Sequence, residues 1–429
     1  MPKIAIIGAG STTFAARLIN DLLTYTELSG STITLVDIDP DRLAVTEAYA
    51  RRAVEQVDAQ MRIEAPTTRG AALEGADYVF VTVMIGGVAA FKVDIDVPAS
   101  YGIDQTVGDT LGPGGVFRAL RTIPFLLKLC NEMAEVCPDA WLLNYANPMA
   151  MNCWAVSAAT DIKSVGLCHS VQGTSKQLAR YCGVPPEEVT YRVAGINHMA
   201  WFLELKRNGE DLYPALRRAL EDPIIVAQDP IRFDIYRHFG YFNTESSHHM
   251  SEYVPYYRKN QETIQNYLTE KWDYPSLWPE QRETAQDDIR RMLDGGQPLE
   301  ITRSHEYGVQ IIHSIETDTL RRANLNVANT GLITNLPTGS CVEVPCLVDS
   351  TGVRPSYIGD LPTQLAGLNR TNINVQELTV EAALGQDRRK AVHAILLDPL
   401  TAALLTTDKV ERMVDEMFAA QAAELPQFQ

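Results

Sequence analysis

Lys3-Ile4-Ala5-Ile6-Ile7-Gly8-Ala9-Gly10-Ser11-Thr12-Thr13-Phe14 runs from an apolar β-type stretch through Gly-x-Gly into a helical pattern. Phe14, Leu18 and Leu22 recur there at i, i+4 and i+8, the spacing of one helix face. A second apolar run, Ile33-Thr34-Leu35-Val36, ends in Asp37. Each part has a physical task. Glycines let the backbone turn tightly and approach a pyrophosphate, and the opening helix offers free N–H groups and a positive dipole end. An acidic residue closing the second strand accepts hydrogen bonds from an adenosine ribose, which favours NAD over NADP. Thr13 stands where a third glycine would complete the fingerprint. Gly8, Gly10, Ser11, Phe14 and Asp37 are therefore the candidate dinucleotide residues, against the alternative of a βαβ turn with no ligand.

Strand and helix patterns continue to alternate through the first 170 residues. Ala76-Asp77-Tyr78-Val79-Phe80-Val81-Thr82-Val83 is continuously apolar, as buried parallel strands are. A helix is expected over Val116 to Cys137, after the turn-forming Gly112-Pro113-Gly114-Gly115 and before Pro138. Ala140 to Tyr145 reads as the next strand, closed by Asn147-Pro148, and Ser164 to His169 as another. Repeated βα units predict an α/β fold, a Rossmann-type doubly wound parallel sheet with right-handed crossovers. Ligands of such sheets lie beyond the carboxyl ends of the strands, where Asn147, Cys168 and His169 fall.

The second half reads differently. Trp201 to Lys206 leads to Asn208-Gly209, a hairpin signal, and Glu280 to Leu293 is helical. Residues 323–349 suggest short strands broken by Gly331, Pro337, Gly339 and Pro345. Val410, Met413, Val414, Met417 and Phe418 share one face of a C-terminal helix. The division expected is a dinucleotide domain over residues 1–195 and a C-terminal α+β domain over 196–429, as in lactate and malate dehydrogenases. The second part would carry substrate, metal and oligomer contacts.

Composition excludes some partners. The chain has 429 residues, 45% hydrophobic, with a formal charge of −17. That balance argues against nucleic acid or an anionic membrane surface, both of which require positive patches. Seven cysteines, an odd number scattered through a large chain, fit free thiols in a reducing cytoplasm better than a disulfide framework. No charged-then-apolar leader precedes the strand at residue 3, and no apolar run reaches the length of a membrane span. A soluble cytoplasmic protein is expected.

Cys168 and His198, the latter in Gly195-Ile196-Asn197-His198-Met199, suit a divalent metal with positions left open for substrate oxygens and water. Each also suits an ordinary interior residue: a small buried thiol, and a hydrogen-bonded core histidine.

Several longer stretches decide between these readings. Ser164-Val-Gly-Leu-Cys-His-Ser-Val-Gln-Gly-Thr174 resembles the Cys-His-Ser motif of the α-galactosidases (melibiases) of glycoside hydrolase family 4. Asp109-Thr110-Leu111-Gly112-Pro113-Gly114-Gly115 with Arg118-Ala119-Leu120-Arg121, and Asn144 to Asn152 around Asn147-Pro148, are similar to its Gly-Pro-Gly-Gly and Asn-Pro segments. Gly195 to Met199, Thr244 to Ser247, Asn335-Leu336-Pro337, Cys341 to Val344 and Thr371 to Val375 also match, from residue 3 to about 405.

The resemblance implies NAD and a divalent metal, Mn²⁺ first, and a redox route to glycoside cleavage. The sugar is oxidised at C3, loses the acidified C2 proton with departure of the C1 substituent, adds water and is reduced again, so that NAD is not consumed. It implies Cys168 and His198 as metal ligands and Asn147 between sugar hydroxyls and cofactor. Asn147, His169 and Arg118 become the substrate contacts. His169 is the candidate acid at the leaving oxygen, or a hydrogen-bond donor to substrate. Tyr253 aligns best with the tyrosine base of the family's phospho-glucosidase branch, with Tyr256 a near alternative, and either could be a core aromatic. A homodimer or homotetramer acting on an α-galactoside such as melibiose or raffinose follows from the same likeness.

Two positions depart from the melibiase pattern: His248 where Glu is expected, and His305 where Arg is expected. They leave room for another α-glycoside as substrate, a glucoside, a glucuronide or a sulfosugar. A different class, an NAD-dependent 2-hydroxy acid dehydrogenase, would need an Asp-His pair that the sequence does not display. A non-catalytic NAD sensor would have no use for a cysteine and histidine suited to metal.

Overall fold

Strands β1 (Lys3–Ile7), β2 (Thr32–Val36), β3 (Arg62–Glu64), β4 (Tyr78–Val81), β5 (Trp141–Asn144) and β6 (Ser164–Gly166) pair in parallel in the order β3-β2-β1-β4-β5-β6. This is the doubly wound arrangement that the alternating pattern predicts. Ile4, Ala5, Ile6, Val79 and Phe80 are wholly buried, because helices cover both faces of a parallel sheet. The computed structural model describes residues 1–268, 274–295 and 298–429.

The sheet does not stop at β6. Strands β7 (Val189–Ile196), β8 (Met199–Arg207), β9 (Glu210–Asp211), β10 (Arg321–Ala328), β11 (Cys341–Asp349) and β12 (Gly352–Pro355) extend it with antiparallel pairing. The joins are β6 to β10 at Gly166 and Asn326, and β11 to β7 at Glu343 and Gly195. Position 195/196 thus lies at the end of β7, and the sheet runs through it.

Three elements differ from the sequence reading. The helix expected from Val116 is Gly112–Val136, so the glycine-rich stretch forms its first turn. Proline is tolerated there because the first-turn N–H groups have no intrahelical partner. Glycine is required by close approach: a Cβ on Gly114 would sit 2.7 Å from the Gly108 carbonyl oxygen, and one on Gly115 would sit 2.5 Å from the Thr110 carbonyl carbon. The helix start is thereby seated on the loop that carries Asp109 and Thr110.

Pro345 lies inside β11 rather than breaking it. Its carbonyl accepts from Ser356 N at 2.9 Å, on the side away from β10, so its missing N–H removes nothing from the β10 ladder. The strand expected over Ser164 to His169 ends at Gly166, and His169 becomes the N-cap of the helix Ser170–Tyr181.

The Asn208-Gly209 turn joins β8 to β9 with positive φ at both residues, as a tight hairpin requires. The C-terminal helix Thr407–Ala420 buries Val410, Met413, Val414, Met417 and Phe418. Phe418 meets Phe117 edge to face at 4.8 Å, and Gln421 Nε2 donates to Asp94 at 2.9 Å beside the buried Arg121–Asp94 pair. The end of the chain is therefore fastened to the dinucleotide half.

Candidate active site

Gly8 (φ 94°) and Gly10 form the turn beyond β1. A Cβ on Gly8 would lie 2.9 Å from the Thr82 backbone, and one on Gly10 would lie 2.6 Å from the Asp37 carboxyl. Such a bare backbone cradle at a helix start fits a pyrophosphate. Asp37, just past β2, accepts from Gly10 N at 2.7 Å and from Asp39 N at 3.0 Å. Ile38 beside it is fully exposed, an apolar surface of the kind an adenine can cover. Ser11 occupies the N-cap position of the helix Thr12–Leu23 without a side-chain capping bond, and Phe14 packs edge to face on Tyr145 at 4.6 Å. The five dinucleotide candidates therefore lie together beyond the carboxyl ends of β1 and β2.

Cys168 follows β6, His198 occupies the two-residue turn between β7 and β8, and Glu245 precedes the helix Ser247–Tyr253. The Cys168 sulfur, a His198 ring nitrogen and a Glu245 carboxylate oxygen all lie within 4.8 Å of one another. His198 (φ 63°) and Glu245 (φ 72°) both hold left-handed backbone, which costs non-glycine residues energy and recurs at functional sites.

Burial pushes the Cys168 thiol up to about 12, with Glu245 adding to the shift and Ser170 and Asn197 opposing it. Burial also pushes the Glu245 carboxyl up, but His249, His198, His169 and Arg232 together hold it at about 2. One thiol, one imidazole and one permanently charged carboxylate fit a divalent ion, and such an ion would itself turn the thiol into thiolate.

Thr110 determines which His198 nitrogen is left for that ion. Its hydroxyl lies 2.8 Å from Asp109 Oδ1 and must donate to it, so the Thr110 oxygen, 3.1 Å from His198 Nδ1, accepts from an Nδ1–H. Tyr253 OH is also near, at 3.2 Å. Nε2 remains as the ligating nitrogen, and the Asp109-Thr110 pair orients it. Asp109 accepts in turn from Asn147 Nδ2 at 2.9 Å, at the cis Asn147-Pro148 bond. Burial raises the Asp109 carboxyl, but Arg118, His249 and His198 outweigh it and keep it low. The buried Arg118 side chain lies over Phe91, and its Nε and Nη1 have no hydrogen-bond partner among the described residues.

The remaining sequence candidates are spread out. His169 is at the mouth, its side chain 66% exposed and its Nδ1 3.6 Å from Glu306. Tyr253 is buried against His198, whereas Tyr256 is 42% exposed and stacks on Phe239. His305 is exposed, and its carbonyl accepts from Gln172. His248 lines a separate cavity of about 480 Å³ with Gln177, Arg180 and Arg232, and burial beside Arg258 holds it neutral, down at about 4.

Asp109, Thr110, Glu245 and His249 received no role from sequence. His249 lies 4.9 Å from the His198 ring, bonds Ser246 Oγ at 2.8 Å and stands 3.4 Å from Glu245. The signal available was the position of the first three inside the quoted Asp109 and Thr244 segments and of His249 just past the second.

The description "Family 4 glycosyl hydrolase" matches residues 3–184, and its C-terminal domain matches residues 193–401. An alpha-galactosidase of Bacillus subtilis is 42% identical over the whole of both chains. Another from Rhizobium meliloti is 39% identical over 99% of this chain and 89% of its own. The solved structure of a 6-phospho-alpha-glucosidase from gut microorganisms, in complex with NAD and Mn²⁺, superposes with a TM-score of 0.85 at 20% identity, covering both chains entirely.

Proposed function

The chain belongs to family 4 of the glycosyl hydrolases, and we propose that it hydrolyses unphosphorylated α-galactosides of the melibiose and raffinose type. The observation that carries the reading is the meeting of Cys168, His198 and Glu245 beside Tyr253, with Cys168 just past β6 of the parallel sheet whose β1 and β2 lead into Gly8, Gly10 and Asp37. Gly8, Gly10, Ser11, Phe14, Asp37 and Asn147 would hold NAD, and Cys168, His198 and Glu245 a divalent ion such as Mn²⁺. When bound, these supply a reversible hydride acceptor and a Lewis acid for neighbouring sugar oxygens.

The chain's own groups then have distinct tasks. Asn147 and Arg118 orient the sugar hydroxyls, Arg118 by Nε and Nη1, which have no hydrogen-bond partner among the described residues. Tyr253 takes the C2 proton. Its phenol is pushed well above 10 by burial first, and by Asp109 next. Thr110 beside it works against that shift. His169, at the mouth, gives a proton to the departing glycosidic oxygen, the suitable place for a group that must also meet solvent.

Seven free thiols support a reducing, cytoplasmic setting. Among the described residues no helix is long and apolar enough to cross a membrane. A homodimer or homotetramer is proposed by analogy, and light scattering should return a multiple of 47.5 kDa.

The deciding experiment is a panel of 4-nitrophenyl α- and β-glycosides with NAD⁺ and Mn²⁺ present. It spans galactosyl, glucosyl, glucuronosyl, 6-phospho and 6-sulfo sugars. The α-galactoside should be preferred. A strong preference for an anionic sugar would overturn the substrate while leaving the redox chemistry standing. Net NADH production from a 2-hydroxy acid would overturn both.

A further inference from the structure

Thr106, Val107 and Gly108 all donate their backbone N–H groups to the carboxylate of Glu252. Oε1 accepts from Thr106 N at 2.6 Å and Val107 N at 2.8 Å, with Thr106 Oγ1 at 3.4 Å. Oε2 accepts from Gly108 N at 3.0 Å and from Gln105 Nε2 at 3.2 Å. Successive N–H groups turned inward make an anion-binding nest, and here the anion belongs to the chain itself. Gly108 completes the turn with φ 56°, and a Cβ there would fall 2.2 Å from Ile95 Cδ1. Buried Arg258 grips the same loop. Its Nη2 donates to Thr106 Oγ1 at 3.0 Å, its Nη1 to Asp104 Oδ1 at 3.0 Å and its Nε to Ser251 Oγ at 2.6 Å.

The next two residues of that loop are Asp109 and Thr110, which reach the centre of the site. Thr110 Oγ1 lies 3.1 Å from His198 Nδ1, and Tyr253 OH lies 3.2 Å from the same nitrogen. Tyr253 directly follows Glu252 in the chain. The contacts therefore close a ring. Glu252 holds the loop, the loop meets His198 through Thr110, His198 meets the phenol, and one peptide unit leads back to Glu252. Without the carboxylate, the loop and the helix Ser247–Tyr253 lose their common anchor, and the phenol shifts against His198. Asp109, which accepts from Asn147 Nδ2 at 2.9 Å, carries the same displacement to the sugar side.

We infer that Glu252 is a positioning residue for the proton abstraction: it holds the Asp109-Thr110 loop and the Tyr253 phenol at a fixed separation, and so sets the phenol against the sugar's C2 proton. This rests on the reading of Tyr253 as the base. A misplacement of about 1 Å at reacting atoms can cost about 100-fold in rate. Cofactor binding, made beyond β1 and β2, should not feel it.

The test is a double-mutant cycle on 4-nitrophenyl α-galactoside at saturating NAD⁺ and Mn²⁺. Each kcat is taken per NAD⁺-binding site, so that only folded enzyme counts. Glu252→Gln keeps the volume but turns an NH₂ group toward backbone N–H donors whichever way the amide faces, because both oxygens accept from backbone. It should lower kcat by about 10- to 100-fold while KM and the NAD⁺ Kd stay within about threefold. With Tyr253→Phe already in place, the same substitution should cost at most about threefold, since the phenol it would displace is gone. An equal cost in both backgrounds overturns the inference and leaves Glu252 a clamp with no part in the chemistry. So does a Gln variant with wild-type kcat. Tyr253→Phe alone at wild-type kcat removes the base reading, and the inference with it. Should Glu252→Gln not bind NAD⁺, Glu252→Asp takes its place, since it keeps the charge but withdraws both oxygens by one methylene, and it is judged in the same way. Amide hydrogen exchange of the wild type needs no variant. The Thr106, Val107 and Gly108 N–H groups must be protected, and exchange as fast as an open loop overturns the inference.

Discussion

The Tyr253 hydroxyl lies 3.2 Å from Nδ1 of His198, so the residue proposed as base touches the back of a residue proposed as metal ligand. Ligation at Nε2 fixes the proton on Nδ1, and that proton points at the phenol oxygen and at Thr110. The ion and the base are thereby coupled through one imidazole ring.

Removing the phenol should separate chemistry from binding. Tyr253→Phe is expected to keep metal content and NAD⁺ affinity while lowering kcat by about 10²- to 10⁴-fold, the usual worth of a positioned base. In D₂O the wild-type product should carry deuterium at C2, and the variant should also lose C2 exchange. A wild-type product free of deuterium would rule out the C2 proton step.

Metal uptake should be steeply pH-dependent. The Cys168 thiol, near 12 without metal, must lose its proton when the ion binds. Protons and metal therefore compete, and affinity rises with pH, by about tenfold per unit between pH 6 and 9 once the histidines are neutral. Calorimetry in buffers of different ionisation enthalpy should find about one proton released per ion. Glu245→Gln removes the charged ligand but not its volume, and elemental analysis should show metal lost at concentrations that saturate wild type. Normal metal content would remove Glu245 from the ligand set.

Cofactor choice should follow Asp37. Its carboxylate, already bonded to Gly10 N, stands where a 2′-phosphate would bring like charge. Fluorescence titration should find NAD⁺ bound more tightly than NADP⁺. Asp37→Ser should narrow the difference, chiefly by weakening NAD⁺. An unchanged ratio would place the ribose elsewhere.

Gly115→Ala tests the seat of the Asp109-Thr110 loop. The new Cβ falls 2.5 Å from backbone at Thr110, which cannot rotate away as a side chain would. Thermal unfolding should show a loss of ~1–3 kcal/mol, the common range for overpacking. Metal affinity should fall as well, because Thr110 orients His198. A variant with wild-type stability and affinity would mean the loop has room to move.

The sequence by itself determined the dinucleotide half. Strand, Gly-x-Gly, helix and Asp37 lie close along the chain, and local patterns of period and turn chemistry are visible without knowing what packs on what. It also offered Cys168 and His198, inside long recognisable segments, as ligand candidates, and Tyr253 with Tyr256 as its near alternative. It could not bring Glu245 to the first two, because their meeting depends on β6, the β7–β8 turn and the loop before Ser247 folding to one place. Nor could it tell Tyr253 from Tyr256, three residues apart, until one was buried against His198 and the other left at the surface. Glu343 reads as one acidic residue among many. Only strand pairing places it between Asn326 and Gly195 with no hydrogen-bond partner among the described residues, since burial and hydrogen-bond satisfaction belong to the packed whole and not to any stretch of chain.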